Sequence, residues 1–181
     1  MLKMNKLYVW MLALAGMFSG PSCLGSERTK LDNSTVKRLD LPRFMGKWYE
    51  IARYEHHFEK GMSHVTAEYT LLPNGKIQVI NRGLKGDKPK EIKGKVRQPN
   101  PAEYPGRLEV SFFLWFYSDY YILELGKDYQ YAVIGSSSDK YLWILCRKPQ
   151  MAKQELETIL ANLRKRGYDL TRLVYVNQDS E

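Results

Sequence analysis

Glu91-Ile92-Lys93-Gly94-Lys95-Val96-Arg97 alternates charged residues with small or apolar ones along its whole length. Successive side chains on a β-strand point to opposite faces, so this period of two marks a strand with one dry face and one wet face. The same signature spreads in both directions. Upstream, Ile77, Val79 and Asn81 share a face opposite Lys76, Gln78 and Arg82, and Pro73-Asn74-Gly75 before them is a hairpin signal, since Asn and Gly accept positive φ cheaply. Earlier still, Val65, Ala67, Tyr69 and Leu71 alternate with Thr66, Glu68 and Thr70, and 46–54 opens the series. Downstream, Leu108, Val110 and Phe112 alternate with Arg107, Glu109 and Ser111. Three later segments, near 120–125, 129–135 and 141–147, are apolar on both faces. Together they make eight strands separated by Gly, Pro, Asn and Asp, the pattern of an antiparallel protein.

The change from one-sided to two-sided strands needs a cause, and residues 151–166 supply it. Leu156, Ile159, Leu160 and Leu163 fall at helical spacing with charges between them, and Gly167 is a stop signal. One amphipathic helix must bury its stripe, and the two-sided strands are the surface that needs covering. Eight hairpin-connected strands remove their exposed edges by closing on themselves. The expected fold is therefore all-β: an eight-stranded antiparallel up-and-down barrel, one C-terminal α-helix packed outside, and residues 172–176 as a short final strand or extended segment.

The chain has 181 residues, with 28 Lys and Arg against 20 Asp and Glu. Two cysteines exclude both a disulfide-stapled miniprotein and a four-cysteine zinc site, so an apolar core must hold the fold. The formal charge is +8, or +6 if a leader carrying Lys3 and Lys6 is removed. The charges are of mixed sign and scattered, without the basic block of a nucleic-acid arm, and no nucleic-acid partner is expected. Lys3 and Lys6 precede an apolar stretch over 7–18, too short to span a bilayer and of the length of a signal-peptide core. Ser19-Gly20-Pro21-Ser22-Cys23 follows, and a cysteine directly after small residues resembles a bacterial lipoprotein cleavage site. That reading makes 1–22 a lipoprotein signal peptide, Cys23 the acylated first residue, 23–38 a polar tether, and 39–181 the folded domain. An ordinary secretory signal, with Cys23 free or paired to Cys146, stays open beside it.

Gly46-Lys47-Trp48-Tyr49-Glu50-Ile51-Ala52-Arg53 resembles the G-x-W opening of the lipocalins. With Phe58-Glu59-Lys60-Gly61 after it, the run is similar to the branch containing bacterial outer-membrane lipocalins and apolipoprotein D. Asn74-Gly75 leading to Ile80-Asn81-Arg82-Gly83, and 141–149 around Trp143 and Arg147, extend the resemblance over 39–176. Ser118-Asp119-Tyr120 stands as the counterpart of the family's Thr-Asp-Tyr. The resemblance implies a cup that is closed at one end and holds a small apolar ligand, on a protein of the bacterial cell envelope, anchored at the outer membrane. Gly46, Trp48 and Arg147 are then scaffold. Trp48 near the start of the first strand meets Arg147 at the end of the antiparallel eighth, and the guanidinium stacks over the indole at the closed rim.

Parity from Trp48 places Glu50, Ala52, Ala67, Tyr69, Val79, Val110, Phe112, Tyr121 and Trp143 in the lumen as the ligand-binding set, with Ile77, Gly94 and Leu123 beside them. Small residues on several strands argue for a hollow interior. Glu50 would orient a ligand's polar group or bond a buried Tyr or Asn81, because a buried carboxylate is costly alone. Burying each methylene contributes about 0.8 kcal/mol, so a fatty acid or lysophospholipid is the expected partner. Phe112-Phe113-Leu114-Trp115-Phe116-Tyr117 falls at the mouth, where it could face a membrane, a second copy in a homodimer, or an entering ligand tail. His56, His57 and His64 cluster near the first open-end loop without metal-ligand spacing. Cys146 alternates away from Trp143 and belongs beneath the helix. No metal, no cofactor and no catalytic residue is expected, and the reading is a binder, not an enzyme. The alternative is a lipocalin-fold enzyme acting on a lipid-like substrate.

Overall fold

The computed structural model describes residues 30–179. The proposed signal peptide and Cys23 lie outside the described residues. Eight strands form the barrel: β1 (Gly46–Tyr54), β2 (Met62–Leu71), β3 (Ile77–Lys85), β4 (Lys88–Arg97), β5 (Arg107–Phe113), β6 (Phe116–Leu125), β7 (Tyr131–Gly135) and β8 (Trp143–Cys146). Each pairs antiparallel with the next, and β1 closes the ring by pairing with both β2 and β8. Helix α1 (Leu41–Phe44) precedes the barrel, α2 (Lys153–Lys165) follows it, and β9 (Leu173–Tyr175) runs along the upper part of β1.

Two apolar clusters divide the molecule. One fills the lower barrel: Phe44, Trp48, Tyr69, Ile77, Val79, Val96, Leu108, Tyr120, Ile122, Ala132, Ile134 and Leu145. The other lies between the wall and α2, where Ile159 and Leu163 pack on Ala52, Leu123, Val133, Ile144 and Cys146. The two-sided strands thus serve both clusters at once, as the helix stripe requires. Cys146 is buried there without a disulfide partner among the described residues.

α1 is too short to be stable alone and is set by its surroundings. Asp40 caps it by accepting from the Arg43 N–H, and Pro42 sits in its first turn. The helix carries Phe44 across the bottom of the barrel, against Trp48 at a ring distance of 5.1 Å and Tyr69 at 5.4 Å. The Trp48 indole N–H donates to the Phe44 carbonyl at 2.9 Å. The Arg147 guanidinium lies 3.7 Å from the Trp48 ring centre and donates to the carbonyls of Arg43, Lys47 and Tyr129. This end is sealed. Ser118 and Asp119 take no part in the seal, because they lie within β6, with Ser118 opposite Val110, and Tyr120 adds only its ring, against Tyr69. The turn over 127–129 does that work instead. Asp128 pairs with Arg43, and the Tyr129 hydroxyl accepts from the Asp40 N–H.

The segment expected as a tether is docked from Lys30 onward. Leu31 packs on the helix side, Arg166 binds the Asp32 and Ser34 carbonyls, and the Val36 N–H donates to Ile122. At the other terminus the chain past β9 fills a gap between upper β1 and β2. The Gln178 amide donates to both the Glu50 and Val65 carbonyls at 2.8 Å, and the His64 N–H donates to Asn177. The backbone amides these strands leave unpaired are thereby partly satisfied by the tail.

Arg147→Met keeps bulk and removes every hydrogen bond that the guanidinium donates at the closed rim. We expect a loss of roughly 2–4 kcal/mol in urea unfolding, from one cation–π contact and several charge-assisted hydrogen bonds. A change under about 0.5 kcal/mol, the range of ordinary surface substitutions, would contradict the sealing role.

Candidate functional site

Above the aromatic floor the barrel is hollow. A cavity of about 560 Å³ opens at the end opposite Trp48. Its floor is the pair Tyr69 and Tyr120, with the Tyr69 hydroxyl donating to the Tyr120 oxygen at 2.7 Å. Burial raises the pKa of both phenols, so they remain neutral. Val65, Ala67, Val110 and Leu145 form apolar wall, and Phe58, Ile92, Phe113 and Phe116 form the lip. That volume lies within the range of small-molecule pockets.

One wall is polar. A bulge at Ile51, between the pairs Glu50–Leu145 and Ala52–Ile144, reverses parity along β1. Arg53 therefore turns inward beside Glu50, and its Nη1 donates to the Glu50 carboxylate at 2.7 Å with both side chains almost fully buried. Its Nη2 donates to the Glu59 carbonyl at 2.6 Å, tying the first open-end loop to the wall. The Glu59 carboxylate receives the Trp143 indole N–H at 3.2 Å and lies 2.9 Å from His56 Nε2. Among the described residues neither His56 ring nitrogen meets a partner along a straight hydrogen bond, and the Asn81 side-chain oxygen is likewise buried without one. Tyr141 stacks on Trp143, with rings parallel at 5.7 Å, and His56 meets both edge-on.

Two carboxylates here share one guanidinium. Burial, then repulsion from Glu59, outweighs the Arg53 pairing and pushes Glu50 up to about 8, so it is protonated at neutral pH. Burial acts on Glu59 too, but the close His56 contact, the Trp143 hydrogen bond and the Arg53 charge overcome it and hold Glu59 below the usual range. The wall therefore offers a neutral carboxyl donor, an unpartnered amide oxygen and an imidazole to whatever polar group enters.

The expected lumen residues separate cleanly. Glu50, Ala67, Tyr69, Val110, Phe112 and Trp143 line the cavity. Val79 faces inward but belongs to the packed floor. Ala52 is corrected: the bulge turns it outward, beneath α2. Tyr121 is also corrected. It lies on the outer face, where the Arg107 guanidinium covers its ring, and Tyr120 points inward instead. Strand six is apolar on both faces, so its own pattern does not say which is which; the pairing of Leu108 with Tyr120 and Val110 with Ser118 decides it. Leu123 joins the helix side for the same reason, after a second bulge between Ile122 and Glu124. Gly94 does not enlarge the void, because the Phe112 ring lies against it. Glu50 bonds Arg53, not a Tyr or Asn81.

Arg53, His56 and Glu59 were not in the expected set. The histidine cluster placed His56 at the first open-end loop and the run Phe58-Glu59-Lys60-Gly61 placed Glu59 there, neither with a role, and parity alone put Arg53 outside. Among the described residues no group of three or more His, Cys, Asp and Glu could hold a metal ion, and no helix is long and apolar enough to cross a membrane.

A closed eight-stranded antiparallel barrel, plugged by Trp48 and Arg147 and hollow above, defines a small-molecule binding cup. The lipocalin-like domain family matches residues 39–178, and the chain belongs to the lipocalins. It is 40% identical over 159 residues to the outer membrane lipoprotein Blc of Vibrio cholerae, covering 86% of this chain and 91% of that one. It is 36% identical over 151 residues to Blc of Escherichia coli strain K12, at 80% and 82% coverage. Apolipoprotein D of Mus musculus is 30% identical, at 97% and 96% coverage. Among solved structures, insecticyanin from the tobacco hornworm Manduca sexta superposes with a TM-score of 0.65 at 21% identity, covering 84% of this chain and 87% of that one, a likeness of fold. These relatives place the chain in the bacterial lipocalin and apolipoprotein D branch, whose fold implies binding of small hydrophobic molecules.

The raised pKa of Glu50 has a direct consequence for stability. Between about pH 4.5 and 8 the unfolded chain ionises this carboxyl while the folded one keeps its proton, so its contribution to stability is present at the acid side and is lost as pH rises through 8. Glu50→Gln is neutral throughout and should abolish that slope. Urea midpoints at pH 5, 6.5 and 8 should fall for the parent relative to the variant; parallel curves would show that Glu50 is ionised in the folded state.

Proposed function

We propose that this protein is a membrane-anchored lipocalin that binds, and stores or transports, fatty acids, lysophospholipids or other small hydrophobic molecules in the upper barrel. The observation that supports it most is the cavity itself: apolar on most of its wall, polar on one side through Glu50, His56, Glu59 and Asn81, and open at the top. A hydrocarbon chain fits the first surface and a polar head the second. Ten buried methylenes would contribute roughly 8 kcal/mol before association costs, which is consistent with micromolar affinity. Glu50, Ala67, Tyr69, Val110, Phe112 and Trp143 are the proposed ligand contacts.

The anchor is the acylated Cys23, and the place is the bacterial envelope at the outer membrane. The lysine-flanked apolar leader supports this, as does similarity to proteins named outer membrane lipoproteins. A single acyl chain holds a protein only transiently, so two or more chains are implied. The action is reversible binding. An enzyme acting on a lipid-like substrate would need a nucleophile or an acid–base pair engaged with the ligand, and turnover of a bound lipid that disappears in Glu50→Gln would establish that alternative.

Titration with a fluorescent fatty-acid analogue should give a saturable signal near micromolar, displaced by lysophospholipid. Ala67→Phe, whose ring fills space that several ligand methylenes would take, should weaken it at least tenfold without lowering the melting temperature. An absent or non-saturable signal would overturn the reading, and an unchanged affinity in the variant would place the ligand elsewhere.

A further inference from the structure

The lip of the cup is more apolar than ligand entry requires. Phe58, Phe113, Leu114, Trp115 and Phe116 are 54–71% exposed, all on open-end connections. Leu114 and Trp115 are not among the cavity-lining residues, so the hairpin tip between β5 and β6 projects beyond the cavity. Its backbone makes the choice of residue costly. Leu114 sits at φ 51° in a two-residue turn, a place that Gly, Asn or Asp occupies at little cost and a branched aliphatic residue does not. The strained leucine is left exposed in the isolated barrel, and the exposed tryptophan beside it stacks on Phe116 of the same hairpin, itself exposed.

The surroundings indicate what covers it. Lys60, Lys85, Lys88 and Lys90 fringe the same loops and form no ion pair among the described residues; of the acids at this end, Glu91 is paired with Arg82 and Asp139 with Arg172, which leaves Glu55, Asp87 and Asp119 against the four lysines. The chain also leaves on this side. From Asp40 at the closed rim it climbs the outer wall past Ile122 to Asn33, which donates to Ser137 in the open-end connection between β7 and β8. Seven peptide steps separate Lys30 from Cys23, a reach of up to about 25 Å. An anchor on that leash can lie level with the mouth. We propose that the open rim docks on an anionic lipid surface, with Leu114 and Trp115 inserted among the acyl chains and the four lysines at the headgroups. The cavity then opens directly into the lipid layer, and a ligand tail passes between membrane and barrel without crossing water. This goes beyond the carrier reading and uses the lipid anchor only for its direction.

The test uses the full chain, as its bacterial host processes it, mixed with vesicles of phosphatidylethanolamine and phosphatidylglycerol whose acyl chains are brominated. Subtracting the Trp115→Phe signal isolates Trp115. Docking predicts that Trp115 fluorescence is quenched by the brominated chains and shielded from iodide. Lys85→Glu/Lys88→Glu, or omission of phosphatidylglycerol, should reduce the quenching severalfold. Leu114→Asp, a residue the turn accepts, should abolish it while leaving fatty-acid titration in solution unchanged. Trp115 open to iodide at saturating lipid would overturn the proposal. So would Trp115 shielded from both quenchers with the protein dimeric in solution, since a second copy would then cover the rim. Loss of fatty-acid binding with quenching intact would instead remove the carrier reading and leave the docking standing.

Discussion

The aromatic stopper at the closed end decides where there is room in this molecule. Phe44, Trp48, Tyr69 and Tyr120 lie in successive contact, and Arg147 clamps them by stacking on the indole and gripping the carbonyls of three surrounding segments. An eight-stranded barrel can fill its interior or leave space for one ligand. Here it does both, by height. The lower half is filled by buried side chains, so the upper half can stay empty without the fold losing its support. The helix α2 adds a second apolar layer outside, which stabilises β7 and β8 where those strands are shortest.

The polar wall follows from one extra residue. Without the bulge at Ile51, Arg53 would face the helix as a buried unpaired cation and Ala52 would widen the lumen. With it, the guanidinium turns in behind the cavity wall, meets Glu50 and holds the Glu59 loop by its carbonyl. One arginine between two carboxylates leaves one of them protonated, and burial selects Glu50. The cup is therefore not simply greasy. It combines a hydrocarbon-compatible wall with a neutral donor and unpartnered acceptors a short distance away, which is the chemistry of an amphiphile's two ends.

The one-sided strands were legible in the sequence because each charged residue marks the solvent face. β2, β3, β4 and the first part of β5 lie with the expected residues inward, and Trp48, Arg147 and Cys146 are where alternation put them. Legibility ended at two kinds of place. Strands apolar on both faces carry no label for inside, so Tyr121 and Leu123 were assigned to the wrong one. Bulges shift parity without any residue type announcing them, which misplaced Ala52 and hid Arg53. The helix α1 was also silent, since four residues have no period to detect, and with it went the plug Phe44. The closed-end turn carries Lys127-Asp128-Tyr129, which through its lysine resembles the family's Thr-Asp-Tyr less than Ser118-Asp119-Tyr120 does.

The account rests on the upper barrel being space that hydrocarbon occupies. Native mass spectrometry of the protein released gently from the bacterial envelope examines that most directly. It predicts a complex carrying one acyl-chain lipid per barrel, lost when the gas-phase collision energy is raised before the fold opens. A spectrum showing only the bare chain, both as isolated and after incubation with excess fatty acid and lysophospholipid, would contradict it.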